Sequence, residues 1–237
     1  YNQFVQKFNN IKFLKNIDIK GIYSHLACAD EKDALNPESS AQLQREKFQD
    51  LLNSINIDNK KNTKIHLANS AGMILGKEFH FDMVRVGLSM YGYEPLVKMD
   101  EKLFLKPALF LKARVTFVRT IEKGIGVSYG NKFITNRKTK LAVLSIGYAD
   151  GIIKNLSGKI SLIHNKKLYP QVGSITMDQM MVDITDSNDI RVGSTMLLLG
   201  SEGKQTISPI DWADKCNSIP WEILCSFKNR LPRVQVD

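Results

Sequence analysis

The stretch DMVRVGLSMYGYEP, residues 82–95, combines an apolar run with a permanent cation. Its first half, Met83–Leu88, has the composition of a buried strand, and Arg85 lies in the middle of it. An unpaired guanidinium in apolar surroundings is costly, so Arg85 needs a partner. Gly87 permits a close backbone approach, and its amide and that of Leu88 could face an anion. From this stretch alone, a half-exposed edge strand whose Arg85 pairs with a carboxylate is an equally good interpretation.

Two further strand–helix pairs precede this stretch. The runs Asp18–Leu26 and Lys64–Asn69 are predicted strands. Asn36, followed by a proline, is predicted to open the helix after the first of these strands, and Ser70 is predicted to cap the helix after the second, Ala71–Leu75. Strands and helices that alternate at this spacing are typical of parallel βα units.

Each predicted strand ends in polar residues: His25 in the first, Asn69 with Ser70 in the second, and Arg85 with Ser89 in the third. In parallel α/β folds the ligand-binding groups collect at the carboxyl ends of the strands. We therefore expect these side chains to point at one place. Taken singly, each strand histidine is more often a satisfied core residue than a catalytic one.

The second half of the chain reads as mostly β, and we place the boundary near residues 95–105, which gives domains 1–98 and 99–237. Five short β-type runs are separated by turns of Gly, Asn and Lys: Leu109–Thr120, Leu141–Gly147, Ile160–Ile163, Met180–Ile184 and Met196–Leu199. Two short helices are predicted near the end, over Trp212–Cys216 and from Pro220 to Leu224.

Composition narrows the function classes. The net charge is +9, but the lysines are scattered and no block of five like charges occurs, so we favour a compositional bias over a nucleic-acid partner. Cys28, Cys216 and Cys225 lack paired spacing and are odd in number, which predicts reduced thiols, a cytoplasmic location and no metal site. No apolar run is long enough to predict a transmembrane helix.

Three polar loops in the β-rich half could carry chemistry. Tyr129 stands between small residues in GIGVSYG, residues 124–130. By default its phenol lies in water, because a phenol titrates near ~10 and needs help to act at neutral pH. The loops GYADG, residues 147–151, and GSITMDQ, residues 173–179, are first of all turns that contain an aspartate.

Together these segments resemble alanine racemase, a family of pyridoxal 5'-phosphate (PLP) enzymes with an N-terminal TIM barrel and a C-terminal β-domain. The resemblance runs in order from about residue 21 to the end, and its motifs are GIYSHLACADE, HLANSAG, VRVGLSMYG, GVSYGNKF, IGYADG, GSITMDQMMVDI, and IPWEILC with NRLPRV. It implies an α/β plus β fold, with the last three βα units of a (β/α)8 barrel before the β-domain. About five units, on the order of a hundred residues or more, would precede residue 1, and with them the Schiff-base lysine. We expect the 237-residue stretch alone to be inactive.

The resemblance implies roles for residues of the first half. Arg85 matches the arginine that faces the pyridine nitrogen of the cofactor, and His66 matches the histidine that hydrogen-bonds this arginine. The implied phosphate cradle and its neighbour are Ser70, Gly87, Leu88 and Asn69. A guanidinium does not give up its proton, so the pyridine nitrogen would stay unprotonated, which disfavours transamination.

Other matches concern catalysis and the substrate. Tyr129 matches the tyrosine that deprotonates L-alanine, and His25 matches the histidine that contacts it. In the family this tyrosine enters from the partner subunit, so activity implies a homodimer. Met177 matches a backbone contact to the substrate carboxylate, and Asp178 and Tyr148 match residues of the entry corridor that admits alanine.

The sequence departs from the family pattern at three positions. Thr176 stands where some members carry Cys, Trp221 where Tyr is common, and Asn229 where some members place a phosphate-binding Tyr. The leading hypothesis is an alanine racemase that supplies D-alanine for the cell wall. The alternatives are a racemase of broader specificity, acting on serine or lysine, and a non-catalytic remnant of a split or truncated gene.

Overall fold

The computed structural model describes residues 2–55, 62–95 and 105–236. The chain divides into two compact units, Tyr1–Ala108 and Leu109–Asp237. The boundary expected between residues 98 and 99 lies outside the described residues. No helix in the described part is both long and apolar enough to cross a membrane.

In its described residues, the first unit contains three α-helices and a two-stranded parallel sheet. The elements in chain order are α1 (Asn2–Lys12), β1 (Gly21–Tyr23), α2 (Ser40–Ser54), β2 (Lys64–His66) and α3 (Ser70–Leu75). Strands β1 and β2 pair in parallel with Ile22 opposite Ile65 and Tyr23 opposite His66. Both strands are shorter than the predicted Asp18–Leu26 and Lys64–Asn69: β1 begins three residues later and ends three residues earlier, and β2 ends three residues earlier.

The core of the first unit lies between the sheet and the helices. Phe8, Ile22, Phe48 and Phe79 are buried there. Helix α2 begins at Ser40, three residues beyond the predicted opening, because Ser39 and not Asn36 accepts the capping hydrogen bond, from the amide of Gln42.

The predicted strand Met83–Leu88 is wrong, since the segment forms no ladder. It lies beside β2 through two backbone bonds, from the amide of Asp82 to the carbonyl of Ile65 and from the amide of Arg85 to that of Ala68, both 2.9 Å. These bonds recur every third residue, whereas a strand in a parallel ladder bonds at every second residue. The chain then closes into a single 3₁₀ turn, Leu88–Tyr91.

The prediction that Ser70 caps α3 is also wrong. Asn69 is the N-cap and accepts from the amide of Gly72 at 3.0 Å, while its own amide donates to the carbonyl of Leu26 at 3.3 Å. Ser70 is therefore the first helical residue. Because Asn69 makes the capping bond, the Ser70 hydroxyl is free to bind elsewhere.

In its described residues, the second unit contains a closed antiparallel sheet, a separate two-stranded sheet (Gly126–Val127 with Phe133–Ile134) and two α-helices. Its elements are β3 (Leu111–Ile121), β4 (Gly126–Val127), β5 (Phe133–Ile134), β6 (Thr139–Leu144), β7 (Ser161–His164), β8 (Lys167–Val172), β9 (Met180–Asp183), β10 (Thr195–Glu202), β11 (Gln205–Ile207), α4 (Pro209–Cys216) and α5 (Pro220–Ser226). The strand order is β11-β10-β3-β6-β9-β8-β7, and β7 pairs again with β10, so six strands form a ring. The mostly-β prediction for this half is confirmed.

The core of the second unit fills this ring. It contains alternate residues of the long strands together with Trp212 of α4 and Ile223 of α5. Helix α4 begins with a reciprocal cap between Ser208 and Asp211, as the sequence indicated. The three polar loops connect the strands, so this packed ring gives them fixed anchors.

Candidate active site

The guanidinium of Arg85 is held at the carboxyl ends of β1 and β2. Its Nη1 lies 2.6 Å from Nδ1 of His66 and donates to the His66 carbonyl at 3.3 Å. Its Nη2 donates to the carbonyls of Ser24 at 2.8 Å and Leu67 at 3.3 Å, and lies 3.2 Å from Nδ1 of His25. Arg85 is half-buried. The alternative with a carboxylate partner is wrong, because no carboxylate of the described residues pairs with Arg85.

His66 is a neutral partner for this cation. Burial, followed by the charge of Arg85, lowers the pKa of His66 below its ordinary value of 6.5. Since its Nδ1 faces a guanidinium donor, the proton of the neutral ring belongs on Nε2. The ring of Tyr23 stacks on His66 at 5.3 Å with an interplanar angle of 5°, and the Arg85 guanidinium lies 5.3 Å from the Tyr23 ring centroid.

One donor of the Arg85 guanidinium remains available. A guanidinium carries five N–H groups, and the bonds above use those on Nη1 and Nη2. In the part of the chain that the structure describes, no acceptor lies on Nε–H. This donor suits an acceptor that is not itself protonated, such as an aromatic nitrogen.

A second group of donors surrounds the Ser70 hydroxyl. Ser70 is only 4% exposed, and its Oγ accepts from the amides of Gly87 at 2.8 Å and Ser89 at 3.4 Å. The Ser89 hydroxyl is buried without a partner among the described residues. A Cβ on Gly87 would meet nothing closer than Ser70 Oγ, at 3.8 Å, so the space beside the Gly87 Cα is open. The side chain of Leu88 is buried and anchors the turn.

Tyr129 is presented outward by a constrained loop. Its side chain is 78% exposed, while Ser128 and Asn131 on either side adopt positive φ, 65° and 47°. The loop is fixed because Ser174 Oγ donates to the Tyr129 carbonyl at 2.9 Å and Ser128 Oγ donates to the Ser174 carbonyl at 2.7 Å. Backbone strain of this kind persists only where surrounding bonds impose it, and it is common at functional sites.

The loops that carry Tyr148 and Met177 are bonded to each other. The amides of Tyr148 and Ala149 donate to the carbonyls of Thr176 and Met177, each at 2.9 Å. Gly147 is required at this crossing, because a Cβ there would collide with both carbonyl oxygens. Tyr148 and Met177 are exposed, and their side chains are therefore accessible to a ligand.

Sequence reasoning missed one residue of this cluster, Arg230. Its Nε donates to Asp150 at 3.0 Å and its Nη2 donates to Asp178 at 2.6 Å. Arg230 belongs to the motif NRLPRV, but nothing in the sequence assigns it a partner. Within the first unit, the predicted residues lie in two groups, one around Arg85 and one around Ser70. Within the second unit, Tyr148 and Asp178 lie on the loops that meet at Met177, and Tyr129 lies on a loop bonded to Ser174.

The described residues offer no metal centre. Across 2–55, 62–95 and 105–236, no group of three His, Cys, Asp or Glu side chains could hold a metal ion. Arg85 offers a donor for an aromatic nitrogen, and the groups around Ser70 offer donors for an anion. Tyr129 offers an exposed phenol.

Family models match both units. Residues 1–95 match the model described as alanine racemase, N-terminal domain, and residues 108–235 match alanine racemase, C-terminal domain. Among curated proteins, the alanine racemase of Prochlorococcus marinus is 51% identical over 99% of this chain, and that of Nostoc sp. is 44% identical over 99%. The chain spans 60% and 59% of the length of these two relatives.

Solved structures give the same result. The alanine racemase of Bartonella henselae with covalently bound pyridoxal phosphate is 34% identical, with a TM-score of 0.83 over 100% of this chain and 62% of its own. The alanine racemase of the D-cycloserine producer Streptomyces lavendulae is 32% identical, with a TM-score of 0.85 over 100% of this chain and 61% of its own. The fold predicted from the sequence, a TIM-barrel portion before a β-domain, is confirmed by these matches.

Proposed function

The chain belongs to the alanine racemase family, and from this premise we propose that it carries part of the active site of an enzyme that interconverts L-alanine and D-alanine. The observation that supports this most is the Arg85 guanidinium, which His66 and three strand-end carbonyls hold while its Nε–H stays available. The D-alanine so formed would supply peptidoglycan synthesis.

Pyridoxal 5'-phosphate is the cofactor that these residues fit. Arg85 would donate Nε–H to the ring nitrogen, and the amides and hydroxyl of Ser70, Gly87 and Leu88 would hold the phosphate. The buried Ser89 hydroxyl has no partner among the described residues, and the space beside Gly87 is open; both support an acceptor at this point. Asn69 would act by fixing the start of α3. When bound, the cofactor withdraws electron density from the Cα of an amino acid and so weakens its Cα–H bond.

Arg85 would set the direction of this chemistry. A guanidinium is not deprotonated in proteins, so Arg85 would leave the ring nitrogen facing it unprotonated. His66 holds the guanidinium without competing for its proton, because burial and Arg85 both keep the imidazole neutral. A weaker electron sink favours return of the proton to Cα, which is racemisation, over transamination.

Tyr129 would move the proton on one face of Cα. Racemisation requires two bases, because the two enantiomers present their Cα protons on opposite sides. The exposed phenol on a fixed loop supports this role, and His25 would assist it from the partner subunit of a homodimer. We assign no lysine of this chain to the second base.

Substrate size would be set by Met177, Asp178 and Tyr148. The Met177 N–H has no acceptor among the described residues, so it could donate to the substrate carboxylate. Tyr148 and Asp178 lie on two loops that are bonded to each other. If the space between these side chains admitted a larger amino acid, the second candidate would apply, a racemase that also takes serine or lysine.

We further propose that residues 1–98 form the cofactor-binding portion and 99–237 the β-domain. The cysteines among the described residues are free, which favours a cytoplasmic enzyme. A non-catalytic remnant remains the alternative of a different class.

The test is an assay of the complete protein that carries this chain, supplied with pyridoxal phosphate. Formation of D-alanine from L-alanine, at a rate well above that for serine and lysine, supports an alanine racemase. Comparable rates on all three amino acids support the broader enzyme. No turnover of any of them by folded protein contradicts the proposal and supports the remnant.

A further inference from the structure

Arg230 joins two loops that are distant from it in the sequence. Its Nε donates to Oδ1 of Asp150 at 3.0 Å, and its Nη2 donates to Oδ1 of Asp178 at 2.6 Å. The Asp150 carboxylate is 9% exposed, and its other oxygen accepts from the amide of Gly147 at 2.9 Å. The planar guanidinium of Arg230 therefore binds one buried and one exposed carboxylate at the same time.

Among the described residues, two backbone hydrogen bonds also connect the loop of Tyr148 with the loop of Met177. The amides of Tyr148 and Ala149 donate to the carbonyls of Thr176 and Met177, and these bonds lie at the crossing by Gly147. Asp178 follows directly after Met177 and lies beyond this crossing. Without Arg230, the described residues would offer no other hydrogen bond to the Asp178 carboxylate.

The ion cluster also determines the charge next to Met177. Asp150 and Asp178 contribute two negative charges and Arg230 one positive charge, so the cluster carries one net negative charge. Without Arg230, neither carboxylate would have an ion-pair partner among the described residues, and both belong to the two loops that meet at Met177. An anionic carboxylate would then approach the Met177 N–H against a stronger negative field.

We infer that Arg230 is a positioning residue that fixes the Met177–Asp178 loop and weakens the negative field in front of the Met177 N–H. It thereby sets the affinity for the carboxylate of the amino-acid substrate without taking part in proton transfer. This inference rests on the proposed racemase function.

Arg137 provides a matched control in the same unit. It binds Asp186 through a similar fork, at 3.3 and 3.0 Å, and its side chain is 52% exposed against 57% for Arg230. The pKa of each arginine is raised, chiefly by its carboxylate hydrogen bonds. Asp186 lies outside the two loops, so loss of Arg137 removes an ion pair without changing the Met177 loop.

The experiment compares R230M, R230K and R137M with the wild type in the complete, cofactor-loaded protein. In R230M we expect the KM for L-alanine to rise about tenfold, with kcat changed less than about twofold, because a ground-state contact is weakened. R230K keeps the charge and should recover much of the KM. About 0.5 M NaCl should lower the KM of R230M, since salt screens the uncompensated carboxylates. R137M should keep the wild-type KM and kcat.

Two results would overturn the inference: an R230M whose KM stays within twofold of the wild type, or an R137M that shows the same rise. If the wild type does not racemise alanine, the proposed function fails, and amide hydrogen exchange then decides the positioning role separately. Faster exchange at the amides of Tyr148 and Ala149 in R230M than in R137M supports the role. Equal exchange in both variants contradicts it.

Discussion

Nη1 of Arg85 lies 2.6 Å from Nδ1 of His66, and this contact joins the segment after Asp82 to the end of β2. The imidazole that faces the cation is neutral, since burial and the nearby charge both lower its pKa. The guanidinium of Arg85 is therefore oriented by a neutral imidazole and by backbone carbonyls, none of which carries a negative charge. Its remaining Nε–H is thus fixed in direction and keeps its proton.

The neutral state of His66 makes stability depend on pH. Because the pKa of His66 is lowered in the folded protein, below 6.5 the unfolded chain takes up a proton that the folded protein does not. The stability linked to neutral His66 is therefore complete above 6.5 and is lost as the pH falls through the lowered value. We expect the thermal midpoint of the wild type to fall more steeply below this pH than that of His66→Gln. Parallel curves for the two proteins between pH 5 and 8, the range in which ordinary histidines titrate, would contradict this expectation.

The Ser70 hydroxyl holds the turn that contains Gly87. Ser70→Ala leaves the amides of Gly87 and Ser89 without this acceptor, which is expected to destabilise the fold by about 1–3 kcal/mol. The same change should weaken binding of pyridoxal phosphate, measured by titration of the apoprotein. Ser54→Ala is the control, because the exposed Ser54 hydroxyl donates only to the Leu51 carbonyl of its own helix. Equal cofactor affinity in the two variants would argue against the Ser70 cradle.

Gly147 allows the two substrate loops to cross. In Gly147→Ala the new methyl would collide with the carbonyl oxygens of Thr176 and Met177, and we expect a loss of about 3 kcal/mol in the free energy of unfolding. Gly158→Ala meets no atom within 4 Å and bears only the strain of φ 74°, which costs about 1 kcal/mol. Denaturant unfolding of both variants measures the difference. Equal losses would mean that the crossing tolerates a side chain.

The phenol of Tyr129 is proposed to move the Cα proton. Tyr129→Phe removes one hydroxyl from a side chain that is 78% exposed, so the thermal midpoint should change little. The rate of racemisation from L-alanine should fall by about 10²–10⁴-fold, the usual contribution of a general base. Exchange of the Cα proton of D-alanine with deuterated solvent should be affected less, because the second base acts on that face. Loss of both processes to the same extent would show that Tyr129 does not act on one face alone.

The sequence indicated the contact between Arg85 and His66 correctly, but it indicated the local structure around them less well. The resemblance placed Arg85 beside His66, and the structure has them in contact. Local rules misplaced the helix cap, because Asn69 and Ser70 are both good capping residues and only tertiary contacts decide between them. Ser70 binds Gly87, which is 17 residues away, and that bond leaves no sign in the local pattern.

The strand predicted at Met83–Leu88 failed for a similar reason. The segment is an apolar run around Arg85, but the side chain of Asp82 accepts from the amide of Ile65 at 2.8 Å and takes the position of a ladder bond. The role of Arg230 was equally hidden. Its two carboxylate partners lie 80 and 52 residues earlier in the chain, and no spacing rule connects such distant positions.

The most direct test measures the protonation state of the ring nitrogen that Arg85 is proposed to face. The complete protein is reconstituted with pyridoxal phosphate labelled with ¹⁵N in the pyridine ring, and the ¹⁵N chemical shift is measured in the wild type and in Arg85→Glu. We expect an unprotonated nitrogen in the wild type and a protonated one in the variant, because a carboxylate stabilises the pyridinium. A protonated nitrogen in the wild type would contradict it.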